Sequence, residues 1–362
     1  MHALRFRLRW LILPVLAAFY TCQDAESPSG ANETAYPLAV VYATALRKSP
    51  SEKSAELDQL PFGARLHDVG QVSDFLASVL LRDTLRQEPW IKVQTPAGRA
   101  GWVFAGALRP PSADPEQLRA WVLDKRFQAL FGPVLAQRWR TWSGLPAPDT
   151  DAAFAVHLRE GLSLRDTLNL LIGRVLTRDA ASALPDLYWL SELSPYFVVQ
   201  QVANGTSYTL FSDFRAVART AAHTTGRQDD LFGQLGFTAY PADSIESALP
   251  VWVFPLNTEE SCSNLGQGQH LRLLRAIDAA QRSGDLFRPE LQAMKDRILN
   301  DILDRSRDYW QPREKILQEL AAILREHPHC LNDRDLLALE ARRNMFAAPE
   351  ANGIRVNVRT GK

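Results

Sequence analysis

Between residues 37 and 110 apolar positions come in short alternating bursts, each closed by turn-forming residues. Val40-Val41-Tyr42 is one such burst, and residues 64–69 form another with Leu66 and Val69 at its apolar positions. Trp90-Ile91-Lys92-Val93 alternates, Pro96-Ala97-Gly98-Arg99 supplies a turn, and Gly101-Trp102-Val103-Phe104 follows. Successive strand side chains point to opposite faces, so this pattern predicts short strands, and several within about 70 residues predict a small barrel. Residues 71–88 break the rhythm. Leu76, Val79, Leu80 and Leu85 fall at partly helical spacing, which predicts a helical insertion packed on the barrel or on the next domain.

After Leu108 the run Arg109-Pro110-Pro111-Ser112-Ala113 marks a boundary. Asp114-Pro115 starts a helix, with Leu118, Trp121, Val122, Leu130, Phe131, Leu135 and Trp139 at helical spacing and a break at Gly132-Pro133. Ser163 and Asp166 have the spacing of a capping box, which predicts a helix opening there with Leu164, Leu168, Leu171, Ile172 and Val175 on one side. Residues 196–202 and 207–211 favour strands and are joined by Asn204-Gly205, a hairpin signal; the apolar run at residues 251–254 predicts a further strand. From Leu265 to Met345 the spacing is helical, with breaks at Gly284, at Trp310-Gln311-Pro312 and at His327-Pro328.

The first unit resembles a bacterial SH3 (SH3b) domain, on three pieces in order. Ala45-Leu46-Arg47-Lys48-Ser49-Pro50-Ser51 is similar to that family's segment after its first strand. Leu60-Pro61-Phe62-Gly63 matches its turn before the next strand. Trp90, Val93, Gly98, Gly101, Trp102 and Val103 follow in the order of its closing Trp, Gly and Gly-Trp-Val motif. The resemblance covers about a fifth of the chain. It implies an SH3-like β-barrel and a binding or scaffold role, with Tyr42, Trp90 and Trp102 as the aromatic positions of a ligand surface or of the small core. The predicted fold class is therefore α+β: an SH3-like β-barrel over residues 37–110, then a mostly α-helical domain over 114–345 with a β-hairpin insert near 196–211, then a tail over 346–362. Ile354-Arg355-Val356-Asn357-Val358-Arg359-Thr360-Gly361 is either a tail strand on some sheet edge or a chance match to the family's opening strand, and we read it as chance.

Composition leaves this picture of a globular chain intact, at 46% hydrophobic and 23% charged residues. Residues 1–21 hold three of the 41 basic residues (Arg5, Arg7, Arg9) and no acid, so the remainder carries 38 basic against 41 acidic residues. That balance argues against general nucleic-acid binding. The basic start and the apolar run at residues 11–21 predict a secretory signal peptide, too short to span a bilayer. Cys22 closes the run and resembles the acylated cysteine of bacterial lipoproteins, although Phe19-Tyr20-Thr21 departs from the usual small residues; a plain leader cut near Ala17 or Ala18 is the alternative. Residues 22–36 are polar and read as a flexible tether. The expectation is a non-catalytic, exported, membrane-anchored envelope protein that binds or scaffolds a protein or cell-wall component, the alternatives being a cell-wall hydrolase with a site near Cys262 or a small-molecule or metal receptor.

With Cys22 acylated, Cys262 and Cys330 remain, as a disulfide or as two buried thiols. Cys262 precedes a helix near Leu265, with His270 downstream and Asp229 elsewhere in the chain, the nearest approach to a cysteine hydrolase. The motifs expected around such a nucleophile are missing, and we assign no catalytic residue. His327, His329 and Cys330 could ligate a metal, but His327 ends a helix where a cation suits the dipole, and we assign no metal and no cofactor. Asp229-Asp230 reads as a helix start. Gly266-Gln267-Gly268 could present amides to an anion, without the Lys-Ser/Thr of a phosphate loop.

Overall fold

The computed structural model describes residues 37–110, 114–178, 186–202, 205–246, 249–257 and 260–358. The predicted signal peptide, Cys22, the tether and Arg359 to the end of the chain lie outside the described residues. Nine strands come first among the described residues: β1 (Pro37–Val40), β2 (Thr44–Arg47), β3 (Glu56–Leu60), β4 (Arg65–Val72), β5 (Ala77–Leu81), β6 (Thr84–Glu88), β7 (Trp90–Gln94), β8 (Ala100–Phe104) and β9 (Leu108–Arg109). Seven form one antiparallel sheet in the order β3-β2-β8-β7-β4-β1-β9, and its outer strands β3 and β9 are not paired with each other. Alternation decides which side chains are buried: Leu38, Val40, Leu46, Leu66, Ile91, Val93 and Val103 are fully buried. At Gly101 of β8 a Cβ would stand 2.6 Å from Leu46 Cγ and 2.9 Å from the Arg47 carbonyl, so β2 and β8 meet only because this residue has no side chain.

Residues 71–88 hold no helix. β4 continues to Val72, and β5 and β6 form a separate two-stranded hairpin turning at Arg82-Asp83, both with positive φ (45° and 61°). Side chains alternate along β5, so the positions that fit a helical period fall on both faces of the hairpin. Ala77, Val79 and Leu81 face inward against Trp90 and Phe104, whereas Leu80 and Leu85 pair across the strands on the exposed face. The two left-handed residues of the tight turn are non-glycine, so the usual Asn-Gly signal is missing.

The helical part contains α1 (Pro115–Phe131), α2 (Pro133–Ser143) and α3 (Asp151–Arg178). The hairpin β10 (Phe197–Val202) and β11 (Ser207–Ser212) follows, then α4 (Phe214–Ala221) and α5 (Gln228–Ala239). A short pair, β12 (Val253–Pro255) and β13 (Ser261–Ser263), precedes α6 (Gln269–Ser283), α7 (Arg288–Leu303), α8 (Arg313–Glu326) and α9 (Asp333–Phe346). Asp114 caps α1 by accepting from the Gln117 amide (2.8 Å), and Gly132 (φ 84°) with Pro133 separates α1 from α2, as the sequence predicts. The capping box predicted at Ser163 is instead interior to α3, which begins twelve residues earlier beside Thr150. Ser163 there accepts from Arg138 (2.9 Å), so the same residue type serves a helix face. One continuous core runs from Leu123 of α1 to Ile354 of the tail. The tail does pair: Tyr309 donates to the Arg355 carbonyl, and Val358 and Asn357 donate back to Tyr309 and Gln311. Among the described residues no helix is long and apolar enough to cross a membrane.

Candidate functional site

The sheet aromatics do not form an open site. Trp90 is buried, edge-on to Phe104 at 5.9 Å, with Val79 of the β5–β6 hairpin on it. Trp102 is partly buried against the same cluster, and Arg82 from the hairpin turn lies over the Tyr42 ring at 4.7 Å. The hairpin thus covers the surface that the family resemblance implies for ligands.

The two cysteines are apart and unpaired. Cys262 on β13 is buried, its thiol directed at the Phe254 carbonyl (3.6 Å), and Cys330 donates to the Leu274 carbonyl (3.5 Å). The predicted disulfide is therefore absent, because each thiol packs into a different part of the core. Burial pushes both thiols up to about 11, so neither is a thiolate at neutral pH. Both are expected to resist alkylation in the native protein and to react in full only after denaturation; titration with a maleimide before and after adding guanidinium checks this.

His270 is also spent elsewhere. Its Nε2 lies 2.9 Å from Asp301 Oδ2, the same oxygen that accepts from the Ser263 hydroxyl, while Arg307 Nε donates to Asp301 Oδ1 (3.0 Å). Ser263 and His270 are fully buried. A serine nucleophile needs its hydroxyl on the imidazole; here both hydroxyl and imidazole converge on one carboxylate, which makes a packing knot. Asp229 starts α5 and accepts from Thr224 Oγ1 (2.6 Å). Cys262, His270 and Asp229 therefore have separate partners. His327 caps α8 in a left-handed conformation (φ 47°) and is exposed, as is His329, and among the described residues no three His, Cys, Asp or Glu side chains gather as metal ligands.

The glycine loop before α6 does hold an anion, supplied by the chain itself. Glu319 of α8 accepts from the amides of Gly266 (2.6 Å) and Gly268 (2.8 Å) through Oε2 and from Leu271 (3.1 Å) through Oε1. Gly266 (φ 100°) and Gly268 (φ 79°) are both left-handed, which turns their amides toward the carboxylate at the positive end of α6.

An open concavity lies elsewhere, between α3, β11, the segment after α5, and α7. It has a volume of about 540 Å³. α7 lines it with Arg297, Asn300 and Asp301, whose spacing places them along one helix face, and Asp304 follows directly after the last residue of the helix. α3 supplies Arg165 and, one turn on, Asn169, whose amide donates to the Leu210 carbonyl (3.1 Å) and accepts from the Leu210 amide (2.8 Å), fastening β11 to α3. Tyr240 and Trp252 form an aromatic wall.

Glu246 is the hub of its polar wall. Oε2 accepts from Arg165 Nη1 (2.7 Å) and Ser212 Oγ (2.8 Å), and Oε1 accepts from Arg297 Nη1 (2.7 Å). Burial, the largest single influence, raises the Glu246 pKa, but Arg165, Arg297 and Ser212 together hold it below the ordinary carboxylate value. Burial first, and then the Glu246 charge, push the Tyr240 hydroxyl up to about 12, so it stays a protonated donor. A depressed carboxylate stabilises the fold above its unfolded-state pKa and loses that contribution as pH falls through its folded value. Stability is thus expected to decline as pH drops from about 5 toward 3, and Glu246→Gln is expected to flatten that decline in acid-dependent thermal unfolding.

None of these residues belongs to a motif. Arg165 and Glu246 are 81 residues apart, and Glu246 and Arg297 are 51 apart. In sequence each looks like an ordinary surface charge, and only the spacing of residues 297, 300 and 301 on α7 hints at one lined face. No protein-family model matches the chain, and neither a curated protein nor a solved structure is significantly similar to it.

Proposed function

We propose that this chain is a non-catalytic binding protein of the bacterial cell envelope, exported by its leader, anchored through a lipid on Cys22, and taking a protein or cell-wall ligand in the cleft between α3 and α7. One observation carries the reading: the cleft is open, while its charged groups are already fixed by one another and the residues nearest to hydrolase chemistry are buried with other partners. A wall of preset guanidinium, carboxylate and amide groups recognises shape and charge; a hydrolase needs a nucleophile and base that reach the substrate together. The open-ended seven-stranded sheet is read as an SH3b-like unit acting as support, since its aromatic positions lie under the β5–β6 hairpin.

The test pairs binding with turnover. Purified cell-wall sacculi should sediment the protein, the exposed Asn300→Trp replacement in the cleft should release it, and no soluble wall fragments should appear. Fragment release that vanishes in Cys262→Ala or His270→Ala would make the protein a hydrolase instead. Labelled palmitate should enter the full chain and be lost in Cys22→Ala; an unlabelled chain found in the soluble exported fraction would remove the anchor.

A further inference from the structure

The cleft carries its charges at a definite spacing. Arg297 and Asp304 are both exposed and both line it. Asp304 caps the C-terminal end of α7 seven positions after Arg297, its amide still donating to the Asn300 carbonyl (2.9 Å), so the two stand about 10 Å apart along the axis. Asn300 lies between them on the same face, exposed, with a side chain able to donate and accept. Arg297 gives Nη1 to Glu246 and bonds Tyr240, and a guanidinium has five N–H donors, so it keeps donors for a further acceptor. Asp304 engages Oδ1 with the Ser306 amide (2.8 Å) and hydroxyl (2.7 Å). These bonds hold its carboxyl below the ordinary value, so it is ionised at neutral pH. Over the whole lining, three arginines (165, 297, 307) face three carboxylates (246, 301, 304). Such a surface gives no net attraction to a simple anion or cation, but it does complement a ligand bearing one charge of each sign.

An extended peptide advances at most about 3.3–3.6 Å per residue, so three residues match the spacing of Arg297 and Asp304. We propose that the cleft binds a short extended peptide of about three residues with both termini free, its carboxylate on Arg297, its ammonium on Asp304 and its backbone beside Asn300. This assignment rests on the cleft being the ligand site. Peptides from proteins and peptides from cell wall share this chemistry and differ in the handedness of their residues.

Isothermal titration of the mature chain with trialanine, its N-acetyl form, its C-terminal amide and a version ending in D-alanine tests the proposal. Trialanine should bind about tenfold more tightly than either capped form, the effect of losing one charge-assisted hydrogen bond. Asp304→Asn should erase the penalty for the acetyl cap while keeping that for the amide, and Arg297→Gln should do the reverse. A preference for L- or D-alanine at the end would support the proposal and identify the source. Capped peptides binding as well as trialanine, no peptide binding, or unchanged discrimination in Asp304→Asn would each overturn it. A chain that ignores the peptides but still sediments with sacculi in an Asn300→Trp-sensitive way loses this assignment alone; one that does neither loses the cleft reading too.

Discussion

Replacing Glu319 by Ala is expected to lower the unfolding free energy by about 3–5 kcal/mol, among the larger effects available to a single substitution. The carboxylate is buried and satisfies three backbone amides, at Gly266, Gly268 and Leu271. Each orphaned amide costs on the order of 1–3 kcal/mol, and the N-terminal end of α6 loses its counter-charge as well. Glu319→Gln keeps the shape and one acceptor oxygen, so it should fall between Ala and the native residue. The effect should reach the cleft, because α6 carries His270, which holds Asp301 on the cleft edge. Urea unfolding followed by circular dichroism measures the change as a lower midpoint at unchanged slope. A loss under about 1 kcal/mol would mean that water replaces the carboxylate and that this contact holds nothing in place.

The second large effect concerns how the sheet is held to the helices. Lys125 Nζ of α1 meets Asp68 Oδ2 of β4 at 2.7 Å, and the neighbouring Arg126 donates twice to Glu88 of β6, at 2.9 and 2.7 Å. Lys125 and Glu88 are nearly inaccessible to solvent. Removing Glu88 leaves Arg126, about a quarter exposed, without its partner and costs about 1–3 kcal/mol. Glu88→Ala is therefore expected to destabilise the junction by that order and to split a single calorimetric transition into two, the sheet unfolding apart from the helices. Swapping Glu88 and Arg126 for a well-packed apolar pair should restore one transition, since the penalty comes from the unpaired charge. One unsplit transition in Glu88→Ala would show that the apolar contacts of α1 suffice to couple the two parts.

How much of this was legible in the sequence follows from which signals are local. Strands β7 and β8 were readable because Trp90 to Val93 and Gly101 to Phe104 alternate around a glycine turn, and the Gly132-Pro133 and His327-Pro328 breaks were readable because proline and glycine act on the backbone directly. The β5–β6 hairpin departs from the predicted helix because Leu76, Val79, Leu80 and Leu85 match a helical spacing while the inward positions are Ala77, Val79 and Leu81, and its turn uses Arg82-Asp83 in place of glycine. Ser163 and Asp166 showed the limit of a three-residue motif: the spacing that caps a helix also occurs along a helix face. The anion loop was half legible. Two glycines announced exposed amides, but nothing local says that the anion is Glu319, some fifty residues away. Beyond the spacing along α7 the cleft was not legible, since Arg165, Glu246 and Arg297 acquire a joint meaning only when α3, α7 and the segment after α5 come together.

The central claim is that ligand is met in the α3–α7 cleft and not on the aromatic face of the sheet. A photo-crosslinking residue placed at Asn300, and in a second strain at Tyr42, tests it directly in intact cells. Light-dependent adducts are expected from position 300, shifted by protease or muramidase according to the ligand's chemistry, and none from position 42 beneath Arg82. Adducts from position 42 with none from position 300 would contradict it and return the binding role to the sheet.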